Sequence, residues 1–200
     1  MSANITGYVG INDRPAAAGH ISPRLMGRLS IVLSYCRRGY CLKKKYLLFF
    51  VTTVTVILLD QITKAYVSST MSIHESFAVI EGFFNITYIR NPGAAFGFLA
   101  GVSPIFRQVF FLLAAIAVIL LILHGIRKSG EKEFLLVFSL SLLLAGAAGN
   151  LIDRVRFGEV VDFLDVYLGS YHWPAFNIAD TAISTGAAIV ILIMLKRKKV

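Results

Sequence analysis

The chemistry available to this chain rests on a handful of acids. Asp60, Asp153, Asp162, Asp165 and Asp180 stand at or beside the ends of long apolar runs. Ionisable groups at membrane depth cost roughly 2.5–3.5 kcal/mol each on insertion scales, so each needs a reason to be there. Asp162 lies within Val160-Val161-Asp162-Phe163-Leu164, where an acid is either desolvated or aimed into a polar pocket, and Asp165 follows close behind. Asp180 opens the last apolar run behind Asn177. With Asn177 as N-cap, an acid in the first turn completes a capping arrangement and meets a favourable helix dipole. Taken singly, each acid has such a structural explanation. As a pair, two carboxylates at one partly buried site cannot both ionise cheaply, so one pKa rises and leaves an acid and a base near neutral pH. Such a pair can activate water against an amide carbonyl and then protonate the departing nitrogen.

The remaining polar groups divide between support and chemistry. Asp60 and Lys64 share a helical face four residues apart, in the order that favours an ion pair. Lys64 either snorkels to water from a helix end, or Asp60 fixes polar groups around a cavity opening outward. In Gly146-Ala147-Ala148-Gly149-Asn150-Leu151-Ile152-Asp153-Arg154, the small residues permit close helix contact. The following Asn, Asp and Arg supply hydrogen bonds, with an Asp153–Arg154 network expected at the helix end. His20, His74, His124 and His172 are scattered without ligand spacing, and Cys36 and Cys41 fall in a basic segment expected to face a reducing cytoplasm. Neither a metal nor another cofactor is expected. There is no H-E-x-x-H, no phosphate-cradling Gly loop and no dinucleotide fingerprint.

These groups must be positioned by elements suited to lipid. Of 200 residues, 56% are hydrophobic and only 16% charged, too little polar surface to clothe a soluble globule. Apolar content gathers into four spans at about 46–67, 105–126, 134–152 and 176–195, each read as a transmembrane helix. The net charge of +9 sits in short blocks between them, a pattern that fits membrane topology better than nucleic-acid binding, and no nucleic acid is expected as a partner. Residues 1–45, the 127–132 loop and the 196–200 tail hold most of the Lys and Arg, so both termini are expected in the cytoplasm. Residues 68–104 and 153–175 then face outward. Residues 1–45 read as a weakly ordered basic extension with no cleaved secretory signal. Around Glu81-Gly82, short β-branched and aromatic runs predict a small hairpin or sheet. The segment after Asn91-Pro92-Gly93, including Phe96 to Leu99, predicts an interfacial stretch that covers the site. The expected fold is thus all-α, four transmembrane helices with a small extracytoplasmic β-sheet and a short interfacial segment. Residue chemistry alone reaches an outward-facing carboxylate site in a four-helix membrane protein. A small proton-coupled carrier using the acids as relays fits that description too, as does a scaffold whose polar groups glue helices together.

Five blocks in order narrow the choice: Asp60-Gln61-Ile62-Thr63-Lys64, Arg90-Asn91-Pro92-Gly93-Ala94-Ala95-Phe96-Gly97, Gly149-Asn150-Leu151-Ile152-Asp153-Arg154, Val160-Val161-Asp162-Phe163 and Phe176-Asn177-Ile178-Ala179-Asp180. Together they resemble the bacterial lipoprotein signal peptidases, or signal peptidase II, over about residues 46–195. Pro92 and the N-terminal extension depart from that family's pattern. The resemblance implies an aspartic endopeptidase of the bacterial inner membrane that cuts diacylglyceryl-modified prolipoproteins just before the lipidated cysteine. It implies membrane lipid as surroundings and no obligate protein partner. Its catalytic pair maps onto Asp162 and Asp180, with Asp153 as the competing candidate. Asp60, Lys64, Asn91, Gly93, Asn150, Asp153, Arg154, Asn177 and Ala179 would support the dyad or hold the substrate backbone.

Overall fold

A chain in hydrocarbon must satisfy its own backbone, and helices do so within one segment. The computed structural model describes residues 43–93 and 101–198. Among these, the helices are α1 (Lys44–Thr70), α2 (Pro104–Lys128), α3 (Phe134–Phe157) and α4 (Ile178–Arg197). The shortest has 20 residues. At about 1.5 Å per residue it reaches the ~30 Å of a hydrocarbon core. Large apolar side chains such as Ile105, Leu121 and Leu192 lie exposed along the helices, as lipid contact requires. The protein is a multi-pass membrane protein with the expected architecture. The expected interfacial stretch at Phe96 to Leu99 and nearly all of the basic extension lie outside the described residues.

Helix ends differ from the apolar runs that announced them. The third helix continues past Ile152 through Asp153, Arg154 and Arg156 because polar residues still make helical backbone bonds, and it stops where Gly158 takes a left-handed φ of 75°. The fourth begins at Ile178 instead of Phe176, since Asn177 caps it and Phe176 pairs in an extended bridge with Leu164. The second starts on Ser103, whose side chain accepts from Phe106 N ahead of Pro104.

The sheet is larger than the sequence suggested. Strands β1 (Ser76–Ile80) and β2 (Phe84–Asn91) form the expected hairpin. The second outer loop adds β3 (Val160–Leu168) and β4 (Tyr171–His172), giving one antiparallel order β1-β2-β3-β4. Register places Asn91 opposite Val160 and Ile89 opposite Asp162, after an irregularity between Ile86 and Ile89. That register carries Asp162 to the same end of the fold as the start of α4.

Two apolar clusters bracket the site. Phe49, Ile122, Ile126, Val137 and Leu144 pack among the helices, while Val67, Tyr88, Val161 and Phe163 join the sheet to the bundle. Glycines bring α3 and α4 into near backbone contact. A Cβ at Gly146 would come within 2.3 Å of Ala179 O, and one at Gly186 within 2.7 Å of Ser139 O. At the helix ends away from the sheet, buried Lys45 donates to Ser129 O at 2.7 Å, and Arg197 pairs with Glu133. Substituting Gly186→Val is expected to destabilise the protein by about 1–3 kcal/mol through overpacking. A lowered Tm in detergent checks this, and an unchanged Tm contradicts it.

Candidate active site

A lysine buried at membrane depth must satisfy three donors within the protein. Lys64 is 3% exposed and does so: its Nζ lies 2.9 Å from Asp60 Oδ2, 2.9 Å from Asp153 Oδ2 and 3.0 Å from Asn150 Oδ1. The side chain therefore does not snorkel to water. It is a hub joining α1 to α3. The expected Asp153–Arg154 network is likewise absent among the described ion pairs, because Asp153 faces inward to Lys64 and accepts from Val161 N at 3.2 Å, whereas Arg154 turns to the rim. Asp60 is fully buried, and its Oδ1 accepts from Ala179 N at 2.9 Å, tying α1 to the first turn of α4. Gly149 makes room for this carboxylate, since a Cβ there would stand 2.6 Å from Asp60 Oδ2.

Asn150 and Asn177 transmit the hub to the two remaining acids. Asn150 Oδ1 accepts from Lys64, which orients its amide so that Nδ2 donates to Asp180 Oδ1 at 2.8 Å. Asn177 is the N-cap of α4: its Oδ1 accepts from Asp180 N at 2.9 Å, and Asp180 Oδ2 accepts from Asn177 N at 3.3 Å. The expected capping box is therefore present, but it does not use up Asn177. Its Nδ2 also donates to Asp162 Oδ1 at 2.7 Å. The other oxygen of Asp162 accepts from Asn91 Nδ2 at 2.9 Å, and Asn91 Oδ1 accepts from Gly93 N at 3.0 Å in a tight turn. Arg154 Nη2 donates to Gly93 O at 3.2 Å, and its guanidinium lies 4.5 Å from the Phe111 ring centre.

Asp162 and Asp180 face one cavity of about 480 Å³, with Asn91, Asn150 and Arg154 on its polar side and Trp173, Phe176 and Ile183 on its apolar side. Burial pushes the Asp162 carboxyl up to about 7, with repulsion from Asp180 adding to it and hydrogen bonds from Asn91 and Asn177 and the charge of Lys64 opposing it. A carboxyl of that pKa beside a second acid can hold one proton between them at neutral pH. Asp165 goes elsewhere, accepting from Asn85 Nδ2 and meeting His172 Nδ1 at 2.9 Å on the sheet. Among the described residues no group of three or more His, Cys, Asp or Glu gathers as a metal cage.

A family model described as signal peptidase (SPase) II matches residues 52–196. The chain belongs to the signal peptidase II family. A lipoprotein signal peptidase of Syntrophus aciditrophicus is 56% identical over 158 residues, covering 79% of this chain and 98% of that protein. One from Geobacter sulfurreducens is 45% identical with the same coverage of each. A bacterial membrane enzyme solved by the in meso method at 2.3 Å superposes with a TM-score of 0.69 at 39% identity, over 75% of this chain and 88% of that one. Membership makes the protein a membrane peptidase. The site residues expected from the sequence, Asp60, Lys64, Asn91, Gly93, Asn150, Asp153, Arg154, Asp162, Asn177, Ala179 and Asp180, all lie in or beside the network described above.

Sequence reasoning missed Gln61, whose Nε2 reaches Asp60 Oδ2 at 3.1 Å, Asp153 Oδ1 at 3.0 Å and Gly149 O at 3.3 Å. Its signal was present, as a polar residue in an apolar run on the same motif as Asp60 and Lys64. Ser184 also lines the cavity, one helical turn after Asp180. Removing the hub cation by Lys64→Met leaves two carboxylates buried side by side. The expected loss is about 3–5 kcal/mol of stability. Thermal unfolding in detergent reads it, and adding Asp60→Asn and Asp153→Asn to the same variant is expected to recover part of the loss.

Proposed function

We propose that this peptidase removes signal peptides from diacylglyceryl-modified prolipoproteins, cutting just before the lipidated cysteine, with Asp162 and Asp180 as its catalytic dyad. The observation that carries the reading is the shared cavity, into which two carboxylates face, both bonded to Asn177, Asp162 through its side-chain amide and Asp180 through its backbone N–H. The name of the relatives, lipoprotein signal peptidase, supports the substrate class. With both termini in the cytoplasm, as the basic residues argue, the sheet and the cavity lie at the extracytoplasmic boundary. A lipid-anchored substrate already holds its scissile bond at that depth, so two-dimensional confinement assists positioning. No observation favours a carrier, whose relay acids would stand near the bilayer midplane.

The proposed step needs only these groups and water. The ionised member of the dyad takes a proton from water as its oxygen attacks the scissile carbonyl carbon, and the protonated member gives its proton to the carbonyl oxygen. Collapse of the tetrahedral intermediate breaks the C–N bond, and a proton passes to the leaving nitrogen. The products are the signal peptide's carboxylate and the free amino group of the lipidated cysteine. Asn91 and Asn177 hold Asp162, Asn150 holds Asp180, and Arg154 with Gly93 frames the substrate backbone. Lys64, Asp60, Asp153 and Ala179 act through these groups as positioning residues.

Asp162→Asn and Asp180→Asn retain size and hydrogen-bonding capacity but cannot exchange the proton. Each is expected to lower kcat by about a hundredfold or more on a diacylglyceryl-modified prolipoprotein in detergent, with Tm little changed. Normal turnover by either variant removes that residue from the dyad. The raised carboxyl also sets a pH limb. Asp162 is protonated below about 7 and loses its proton above, so a dyad that needs one shared proton loses activity as pH rises through about 7. A kcat profile that stays flat from acid to alkaline pH contradicts this assignment.

A further inference from the structure

The network described above uses Lys64 and Arg154, but it leaves two other arginines at the sheet end of the bundle unexplained. The Arg90 guanidinium lies 4.5 Å from the ring centre of Phe157, and that of Arg156 lies 4.8 Å from the same ring. Two cations thus converge on one aromatic side chain, a contact each makes favourably. Placing like charges together is unfavourable unless an anion joins them. Neither arginine has a carboxylate within ion-pair distance among the described residues, and Glu159, next to the helix end, pairs with neither. Arg90 Nε donates to Tyr88 Oη at 2.7 Å, which fixes that guanidinium without neutralising it. Phe157 is 45% exposed, so the pair is open to an incoming group.

The position of this clamp narrows the anion. Phe157 is the last residue of a transmembrane helix, so the clamp stands at the boundary between hydrocarbon and headgroups. Directly before it in the chain, Val155 lines a groove of about 280 Å³ between α2 and α3, whose other walls are Val109, Leu112 and Leu151 with Arg154 at the rim it shares with the peptidase cavity. Gln108 also lines the groove and packs against Gly158, the residue following Phe157, where a Cβ would meet its Nε2 at 2.4 Å. Cations without acids at headgroup depth, linked through the Gln108 contact at Gly158 to a largely apolar groove beside the same end of α3, match a molecule that is anionic at one end and hydrocarbon at the other.

We propose that Arg90, Phe157 and Arg156 bind the phosphate of an anionic glycerophospholipid, one acyl chain of which lies in the groove between α2 and α3. Guanidinium forks suit phosphate oxygens, and each basic residue near an anionic lipid surface contributes enough for about a fivefold change in affinity. The groove shares Arg154 with the peptidase cavity, but Arg90, Arg156 and Phe157 do not line that cavity, and lipid binding by them does not depend on the reaction assigned there. Its occupant is a bulk membrane lipid and not the substrate, whose diacylglyceryl group carries no phosphate.

Native mass spectrometry of delipidated full-length protein in detergent, titrated separately with phosphatidylglycerol, phosphatidylcholine and inorganic phosphate, tests this. The expected result is one phosphatidylglycerol bound more tightly than phosphatidylcholine, with no retention of free phosphate. Arg156→Gln is expected to weaken phosphatidylglycerol about fivefold. Val109→Trp, which fills the groove, is expected to weaken both lipids while leaving the Arg156 side chain in place. A Tm matching the wild type shows that each variant folds. Equal affinity for the two lipids, no effect of Arg156→Gln, or free phosphate binding as well as the phospholipid would each overturn the proposal.

Discussion

A single ammonium group, closed off from water between two carboxylates, organises this molecule. Moving such charges out of water costs several kcal/mol per ion and is recovered only when geometry and hydrogen bonds are complete. Lys64 meets that condition with three acceptors at 2.9–3.0 Å. The demand propagates outward. Asp60 must lie against α4, where it takes the Ala179 N–H, and Asp153 must lie against β3, where it takes the Val161 N–H. One ionic triad therefore fixes the relative positions of α1, α3, α4 and the sheet, in an environment where apolar packing against lipid says little about register.

The same triad hands a defined orientation to the asparagines. An amide can present either oxygen or nitrogen to a neighbour, and the choice at Asn150 is forced by a donor on one side and an acceptor on the other. Asn177 is fixed similarly by the helix start that it caps. Both then offer N–H groups to the carboxylates facing the cavity. Asp162, on a strand packed over an apolar cluster, is desolvated strongly enough for its carboxyl to reach about 7 despite those donors. Support for the ionised form and burial against it pull in opposite directions, which is how a carboxyl comes to exchange its proton near neutral pH.

Much of this was legible in the sequence, for reasons that can be named. The spans are visible because lipid demands long apolar runs, and the acids stand out against them because lipid penalises charge. The capping box at Asn177 and Asp180 is a local pattern, as is the close contact allowed by Gly146 and Gly149. The partners of Lys64 were only half readable. Asp60 shares its helix, so spacing exposes the pair, but Asp153 comes from another helix and no local rule reports it. The neighbouring Arg154 looked like its partner, yet adjacent residues on a helix point apart. The third strand escaped for a similar reason: Val160 to Leu168 has a strand's residue types, but its partner β2 lies far away in the sequence, on the other side of two helices. Asp165 stands among the five acids near the outward span ends, and the structure bonds it to His172 and Asn85 on the sheet, away from the cavity.

The central claim is that the hub holds two carboxylates around a single proton. Infrared spectroscopy of the purified protein, with aspartate carboxyls isotopically labelled, observes that proton directly. Just below neutral pH the account expects one protonated aspartate, whose band weakens as pH rises through about 7 and is missing from Asp162→Asn. A spectrum with no protonated aspartate in that range, or one whose band persists unchanged in Asp162→Asn and Asp180→Asn alike, would contradict it.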